Sequence, residues 1–584
     1  MSRKVRLLIL CVVLVLSAAL GIADVEMVSG SPSSDRASEL LPPGILPVVI
    51  LSGTDYEMGY QYGQQMGDYI EMVKVASWSS ALRSSGYEQI IKALQIAQSY
   101  TKQYAPEAIE MYKGIADGAT AAGYQMSYLD VLLINSGVQR PSTPNPSIPA
   151  GSEKERIPPE GCSGFAAWGT TTKDGKLLCG NSHDTTTTFG VTIVAFPSNG
   201  NSYVTTANPG EVARFPIMNN KGVFISSASG YARRAVDSDY GIPRPPAYQH
   251  MARFSNTAYE ARDMFMPWKY ISSWNIMMAD TKGNAVVIET AGPLKAMRKV
   301  GDFGEVDFLH HANGYMTAAL QEAATGKLDP NEKIMEHGGW RGSMTVQSNN
   351  GGAIPRNREL WNMFHNYHGL VDLEFTKMMW RFPGDPPPFT PGTKAYTDTL
   401  GENHSKIEGW AQIGNLVNRW LWVAQPDSGN NGVAHICTGP ANPDVYPWAG
   451  STSYQIDNTF TFYQLTLAAN PAAVVDAARK EAFNRIDKAY SKLKKMKYGE
   501  VAFAALDELF SLANTEYYQG VNWTTEAGMA TGNQKLLCLS KAATALTRSQ
   551  SHAQQVYDAL VAPAIRPEDL NLKPYGGNWA EWFY

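Results

Sequence analysis

Lysine and arginine nowhere gather into runs in this sequence, and the formal net charge is -5. The electrostatic footprint of a nucleic-acid binder is therefore missing, and no nucleic-acid partner is expected. Histidines and cysteines show no metal-ligand spacing, so neither a metal nor an organic cofactor is implied. No low-complexity tract or heptad repeat is present, and beyond the first residues no apolar stretch could span a bilayer. What is there is ordinary for a folded, core-forming chain: 44% hydrophobic, 18% charged and 11% aromatic residues. A length of 584 residues exceeds one compact core, so two or three domains are expected.

The N-terminus carries Arg3, Lys4 and Arg6, an apolar run from Leu7 to Leu20, and small residues up to Ala23. Basic, apolar and small segments in that order predict a secretory signal peptide over 1–23, and hence a secreted or otherwise extracytoplasmic protein. The run is slightly short for an uncleaved anchor, and Leu10 before Cys11 argues against a lipid-modified lipoprotein. Removing the signal leaves Cys162, Cys179, Cys437 and Cys538, which allow three pairings if all are oxidised.

Thr54-Asp55-Tyr56-Glu57 has a capping-box pattern, and Gly59, Gly63 and Gly67 follow on one helical stripe. Such a stripe costs helix propensity, and its use is the close approach of another backbone. Pro106 suits a helix first turn, and Ser127 with Asp130 caps a further helix, so 24–140 reads as a helical region. Residues 141–161 hold six prolines with polar filler and mark an exposed linker. From Cys162 the pattern becomes short apolar runs broken by turn sequences such as Lys173-Asp174-Gly175, with helical stretches at 257–266 and 357–379. An α+β domain with mostly antiparallel sheets over 162–466 is predicted, with Pro383 to Pro391 as a stiff surface loop. From Asn470-Pro471 onward, Ala, Leu and Lys at helical spacing make 467–584 a C-terminal helical appendage.

One place in this layout invites chemistry. Cys162 starts a strand directly after Gly161 and the exposed linker. Cutting the Gly161–Cys162 bond would put a thiol and an α-amine on one residue. An α-amine titrates near pH 8 and can activate its own thiol without a histidine.

Several motifs then agree in order. Asp55-Tyr56-Glu57-Met58-Gly59-Tyr60-Gln61-Tyr62-Gly63 and Gly114-Ile115-Ala116-Asp117-Gly118-Ala119 lie upstream of Gly161-Cys162-Ser163-Gly164-Phe165. Thr172-Lys173-Asp174-Gly175-Lys176-Leu177, Met218-Asn219-Asn220-Lys221-Gly222-Val223, His310-His311-Ala312-Asn313-Gly314-Tyr315 and the His368 to Glu374 segment follow. In this the chain resembles the penicillin acyltransferase-type family of cysteine Ntn hydrolases, and more distantly the bile salt hydrolases and phospholipase B-like proteins. The resemblance implies a four-layer αββα sandwich with an N-terminal helical propeptide, self-cleaved by attack of the Cys162 thiol on the Gly161 carbonyl. It implies Cys162 as nucleophile, Asn313 as oxyanion donor, Asp184 as the group holding the Cys162 ammonium, and Arg356 as a late active-site arginine, with Arg358 close enough to be confused with it. Oxyanion donors typically contribute about two to three powers of ten in rate.

The implied activity is cleavage or transfer of an acyl group at an amide C–N bond through a Cys162 thioester, with fragments 24–161 and 162–584 staying associated. The substrate would be a small acylated amide or a lipid-like molecule. A phospholipase B-like lipid acyl hydrolase and a secreted inactive binding protein of the same fold are the alternatives. Two departures bear on substrate class: bile salt hydrolases carry an arginine where this chain has Asn181, and an asparagine near the position of Ser229.

Strand register offers a test. A two-residue Asp174-Gly175 turn would pair Cys162 with Thr187, whereas a five-residue Thr171–Gly175 loop would pair it with Asp184. The shorter turn would leave Asp184 opposite Phe165, on the other face, where a role for it at the Cys162 ammonium fails, so the longer loop or an equivalent bulge is predicted. Either register separates Cys179 from Cys162, which argues against a disulfide between them. His310 and His311 alternate faces in a strand, so at most one enters a site and a structural role is favoured. The run Ser226 to Gly230 lacks the first glycine of a serine-hydrolase elbow. Asn403 and Asn522 sit in glycosylation sequons, and Trp579 and Trp582 read as packing residues.

Overall fold

The computed structural model describes residues 45–136, 161–184, 190–230, 240–271, 273–317, 319–320, 353–380, 418–438, 461–495 and 503–561. The expected signal peptide, the linker up to residue 160, the Pro383–Pro391 loop, the Asn403 sequon, Trp579 and Trp582 lie outside the described residues.

Two sheets organise the chain. The first has eight strands: β1 (Val48–Gly53), β4 (Val191–Pro197), β5 (Tyr203–Ala207), β6 (Ile217–Asn219), β7 (Val223–Ser229), β8 (Trp274–Asp280), β9 (Ala285–Ala291) and β10 (Leu294–Lys299), side by side in that order. The second runs β11 (Phe308–His311), β2 (Gly161–Ala167), β3 (Leu178–Asp184), β12 (Asn418–Gln425), β13 (Gly432–Thr438) and β14 (Tyr463–Leu467). All neighbours are antiparallel except β1 and β4.

Side-chain alternation along the strands separates two apolar layers. Val194, Val204, Met218, Phe224 and Met277 of the first sheet pack with Trp420, Trp422 and Ile436 of the second. Their neighbours Ile193, Ile217, Ile225, Ile276 and Met278 turn instead towards residues of the helices α1 (Asp55–Ser84), α3 (Pro106–Ala121), α5 (Arg244–Phe254) and α6 (Ala258–Phe265). On the far side of the second sheet, Phe165, Ala167, Leu421 and Val423 meet Leu360, Phe364 and Phe375 from α7 (Ala353–Asn366) and α8 (Leu373–Met379).

The glycine stripe has a definite partner. A Cβ on Gly59 or Gly63 would run into the backbone of Met111, Ile115 or Ala119 on α3, and one on Gly114 or Gly118 would strike the backbone of Tyr56 or Tyr60 on α1. At these four glycines backbone meets backbone with no side chain between, whereas Gly67, the third of the stripe, faces the Tyr124 ring. The helix starts follow the sequence signals: Thr54 accepts from the Glu57 N–H in a full capping box, Pro106 opens α3, and Asn470 caps α9 (Pro471–Leu493).

Two expectations need correction. The region 24–140 is not helical throughout, because Val48–Gly53 forms β1, an edge strand of the first sheet. Its run Val48-Val49-Ile50-Leu51 is apolar on both faces and buried on both, as expected for a strand paired in parallel and covered on each side. The C-terminal helices α10 (Phe503–Met529) and α11 (Gly532–Leu560) are more than an appendage, since α11 covers that same edge. Thr544 Oγ1 accepts from the Val48 N–H at 2.9 Å and Ser540 Oγ from the Ile50 N–H at 2.8 Å. The next outward N–H, on Ser52, goes to Gln61 Oε1 of α1 at 2.9 Å. Positions 540 and 544 share one helix face, so their hydroxyls match alternate N–H groups of a strand edge that would otherwise be an aggregation site. Gln550 of α11 likewise accepts from the Gln464 N–H on β14, the edge of the second sheet.

The glycine contact yields a stability prediction. Gly63→Ala forces α1 and α3 apart and lowers the unfolding free energy by about 1–3 kcal/mol, the usual range for overpacking. Gly528→Ala meets nothing within 4 Å on α10 and leaves stability unchanged or raises it by up to about 1 kcal/mol. Urea unfolding of the two variants beside wild type measures the difference.

Candidate active site

Cys162 is the second residue of β2 and is buried, with 2% of its surface exposed. Its strand partner on β3 is His183, while Asp184 lies opposite Gly161. Neither register expected from the sequence occurs. Residues 168–177 connect the strands, and Cys162 and Asp184 fall on opposite faces. The cause is the connection itself. Gly169 and Gly175 adopt positive φ and the Gly169 N–H donates to the Gly175 carbonyl, while Thr172 bridges to Val371 in another part of the chain.

Two glycines let this hairpin pack. A Cβ on Gly164 would overlap the His311 ring, and a Cβ on Gly180 would overlap the ring of its cross-strand partner Phe165. The Cys162 face looks towards the first sheet, where Ser226 Oγ and His311 Nε2 lie 2.8 Å apart beneath Gly164. The Asp184 face looks towards α7.

Three other side chains converge on Cys162. Its backbone N–H donates to Asn313 Oδ1 at 2.9 Å. Its carbonyl accepts from Arg356 Nη1 at 2.6 Å, and the same nitrogen donates to Ser163 Oγ at 2.9 Å. Arg356 Nη2 donates to Asn313 Oδ1 at 2.7 Å, and Asp184 Oδ2 lies 3.8 Å from Nη1. Arg356 is 1% exposed and Asp184 fully buried, so this pair sits where water screens little. The four residues singled out from the sequence therefore meet in one cluster, and Arg356 is the arginine that reaches it.

Their contacts differ from the expectation in one respect: Asp184, on the opposite face, does not take the Cys162 N–H. Asn313 Oδ1, not Asp184, takes the Cys162 N–H, because Asp184 is paired one residue further out. The Asn313 Nδ2 donates to the Ser229 carbonyl at 2.8 Å. A side-chain amide nitrogen carries two hydrogens, so one is committed there and one remains for an oxyanion. The amide orientation is fixed by its partners, since a backbone N–H and a guanidinium can only donate and a carbonyl can only accept.

Further residues hold the cluster in place. Asn275 Nδ2 donates to the carbonyls of Ala312 and Gly314, at 2.7 and 2.9 Å, and so grips the chain on both sides of Asn313. Glu289 accepts from the N–H groups of Met316 and Thr317 and from Arg298 Nε, and Arg298 Nη2 donates to the His310 carbonyl. Asn181 Nδ2 donates to the Ser163 carbonyl at 2.7 Å. Asn275 was legible only as a polar residue inside the apolar run Trp274 to Met278.

His310 Nδ1 donates to Asn357 Oδ1 at 3.0 Å, and both histidines of the pair are fully buried. Burial first, and the nearby Arg298 second, push His310 down to about 3 and His311 well below its usual range. Both are therefore neutral near pH 7 and structural. Cys162, Cys179, Cys437 and Cys538 are all buried, and no disulfide joins any two of them, so none of the three pairings forms. Among the described residues, no three His, Cys, Asp or Glu side chains gather as metal ligands, and no helix is long and apolar enough to cross a membrane.

No family model matches the chain. An uncharacterized protein of Archaeoglobus fulgidus is 28% identical over 270 residues, a match covering 42% of this chain and 44% of that protein's length. Among solved structures, an N-acylethanolamine-hydrolyzing acid amidase ortholog of Caenorhabditis elegans is 13% identical with a TM-score of 0.28, covering 45% of this chain and 93% of that one. A variant of the conjugated bile acid hydrolase of Clostridium perfringens is 13% identical with a TM-score of 0.28, covering 47% and 89%. Penicillin V acylase of Agrobacterium tumefaciens is 13% identical with a TM-score of 0.24, covering 53% and 92%.

The buried histidines set a pH dependence. An unfolded histidine protonates near 6.5 and the folded His310 only near 3, so the unfolded state binds more protons between those values. Stability is thus full above pH 6.5 and falls as pH drops towards 4, by about 1.4 kcal/mol per pH unit for each such histidine. Urea unfolding from pH 7 to pH 4 should show this loss, with a shallower slope in His310→Gln.

Proposed function

We propose that this chain is an exported, self-processing Ntn-type cysteine hydrolase or acyltransferase that cleaves or transfers an acyl group at an amide C–N bond. The observation that carries the reading is the grip on Cys162: its N–H and its carbonyl are held by Asn313 and Arg356 at the start of a strand that follows the linker. In a regular strand these two groups go to the next strand, whereas here β11 reaches only Gly164 and side chains take them instead. The helices on either outer side of the two sheets fit an αββα sandwich.

The chemistry follows from the residues. The Cys162 thiol attacks the Gly161 carbonyl, the peptide nitrogen leaves with a proton, and water releases Gly161 from the resulting thioester. Cys162 then carries a free α-amine beside its thiol. Asn313 Oδ1 holds that amine, and the permanently charged Arg356, bonded to the same oxygen, disfavours its protonation and keeps it available as a base. The amine takes the thiol proton as sulfur attacks the acyl carbon, and returns it to the leaving amine. Water completes hydrolysis, and an acceptor amine completes transfer. The fragments stay together because β1, α1, α2 (Tyr87–Tyr104), α3 and α4 (Tyr128–Ser136) are built into the first sheet and its helical cover.

An acyl-enzyme tests this reading. Incubated with p-nitrophenyl dodecanoate, the wild-type protein should carry a dodecanoyl adduct on the Cys162 peptide that neutral hydroxylamine removes. In Cys162→Ala the adduct is absent and p-nitrophenol release falls by about three powers of ten. Release unaffected by Cys162→Ala contradicts the proposal. A wild type with neither adduct nor release supports an inert binding protein.

A further inference from the structure

The first cut, at Gly161, makes a demand that later turnover does not. Until that bond breaks, the Cys162 nitrogen is an amide whose lone pair is delocalised, so the α-amine that activates the thiol in the finished site does not yet exist. Another group has to take the thiol proton and return it to the nitrogen that leaves.

Strand pairing supplies a candidate. Cys162 on β2 stands directly opposite His183 on β3, so their side chains share a face. The Cys162 N–H is committed to Asn313 Oδ1 and its carbonyl accepts from Arg356, which makes this a non-hydrogen-bonded pair of the ladder. Side chains lie closest in that kind of pair, with Cβ atoms about 4.5–5.5 Å apart. Across β3, Trp420 of β12 is the next residue in the same row, and its ring stacks on the imidazole at 4.4 Å between centroids and 11° between planes. Phe215 meets the imidazole edge-on at 5.3 Å. Two aromatic rings thus back the imidazole, and Cys162 lies on the side of it away from Trp420. Packing alone is served as well by a phenyl ring here, and a buried imidazole costs desolvation that a phenyl does not. The other ionisable groups of the junction are differently placed. Asp184 is on the opposite face, and Arg356 can only donate. His311 lies beneath Gly164, with Nε2 held 2.8 Å from Ser226 Oγ and the ring kept neutral by burial.

The geometry points to His183 as the base, and then the acid, of the self-cleavage step. This rests on the Cys162 reading above and adds the proton carrier which that step needs. The imidazole takes the Sγ proton as sulfur bonds to the Gly161 carbonyl carbon and the carbonyl π pair moves onto oxygen. As the oxyanion collapses, the C–N bond breaks, and the imidazolium gives the same proton to the Cys162 nitrogen, which leaves as the α-amine. Gly161 is then a thioester on Cys162, and water hydrolyses it. His183 ends the step neutral, as it began, and the new amine takes over as base for every later acyl transfer.

The test follows the full chain, made by cell-free translation at neutral pH and sampled over time for a fragment beginning Cys162-Ser163-Gly164. His183→Gln and His183→Ala should be cut at least about a hundredfold more slowly than wild type, the low end of what a general acid–base group contributes. Added imidazole should restore cleavage in His183→Ala, whereas pyrrole, a ring of the same size without a basic nitrogen, should not, so that lost packing is told apart from lost proton transfer. Cleavage as fast as wild type in either variant, or no advantage of imidazole over pyrrole, overturns the role of His183 and leaves the Cys162 reading standing. A wild type that stays whole removes the Cys162 reading and this inference together.

Discussion

The hydrogen bond from the Cys162 backbone to Asn313 Oδ1 is the contact on which the site depends. It joins the start of β2 to the loop after β11, and Arg356 from α7 closes the triangle by bonding the same oxygen and the Cys162 carbonyl. Three elements far apart in sequence thus meet at one residue. None of the three contacts tolerates much slack, because the groups are buried and an unpaired buried donor or cation is costly. The supports behind them are ordered for the same reason: Asn275 fixes both neighbours of Asn313, and Glu289 fixes the residues just beyond.

That geometry requires two intact sheets, and the ends of the chain supply what the middle lacks. The segment before the linker contributes β1 and the interlocked helices α1 and α3. The C-terminal helix α11 then covers the outer edge of β1 with Ser540 and Thr544, and reaches the edge of the second sheet through Gln550. A cut at Gly161 would sever the backbone without severing these contacts.

Legibility of the sequence followed the range of the interactions concerned. The glycine stripe, the caps at Thr54 and Asn470 and the Gly161-Cys162 junction are local patterns, and each could be read from a few neighbouring residues. Asn313, Asp184 and Arg356 came from the order of motifs, and their meeting depends on tertiary placement that no periodicity encodes. The β2–β3 register failed because a connection from Trp168 to Leu177 is shaped by Thr172 pairing with Val371, some two hundred positions away, and by the φ of two glycines. β1 was missed because a four-residue apolar run beside a helix start carries no strand alternation when both its faces are covered. The role of α11 was hidden because two hydroxyls on an Ala-rich helix look like ordinary helix residues until a strand edge lies beneath them.

The central claim is that Cys162 becomes a chain terminus. Intact mass spectrometry with N-terminal sequencing of the purified full-length protein, beside Cys162→Ala, tests it most directly. The account predicts a wild-type fragment beginning Cys162-Ser163-Gly164, with the variant left whole. Wild-type protein that stays uncut across a range of pH, or a variant that is cut at the same bond, would contradict it.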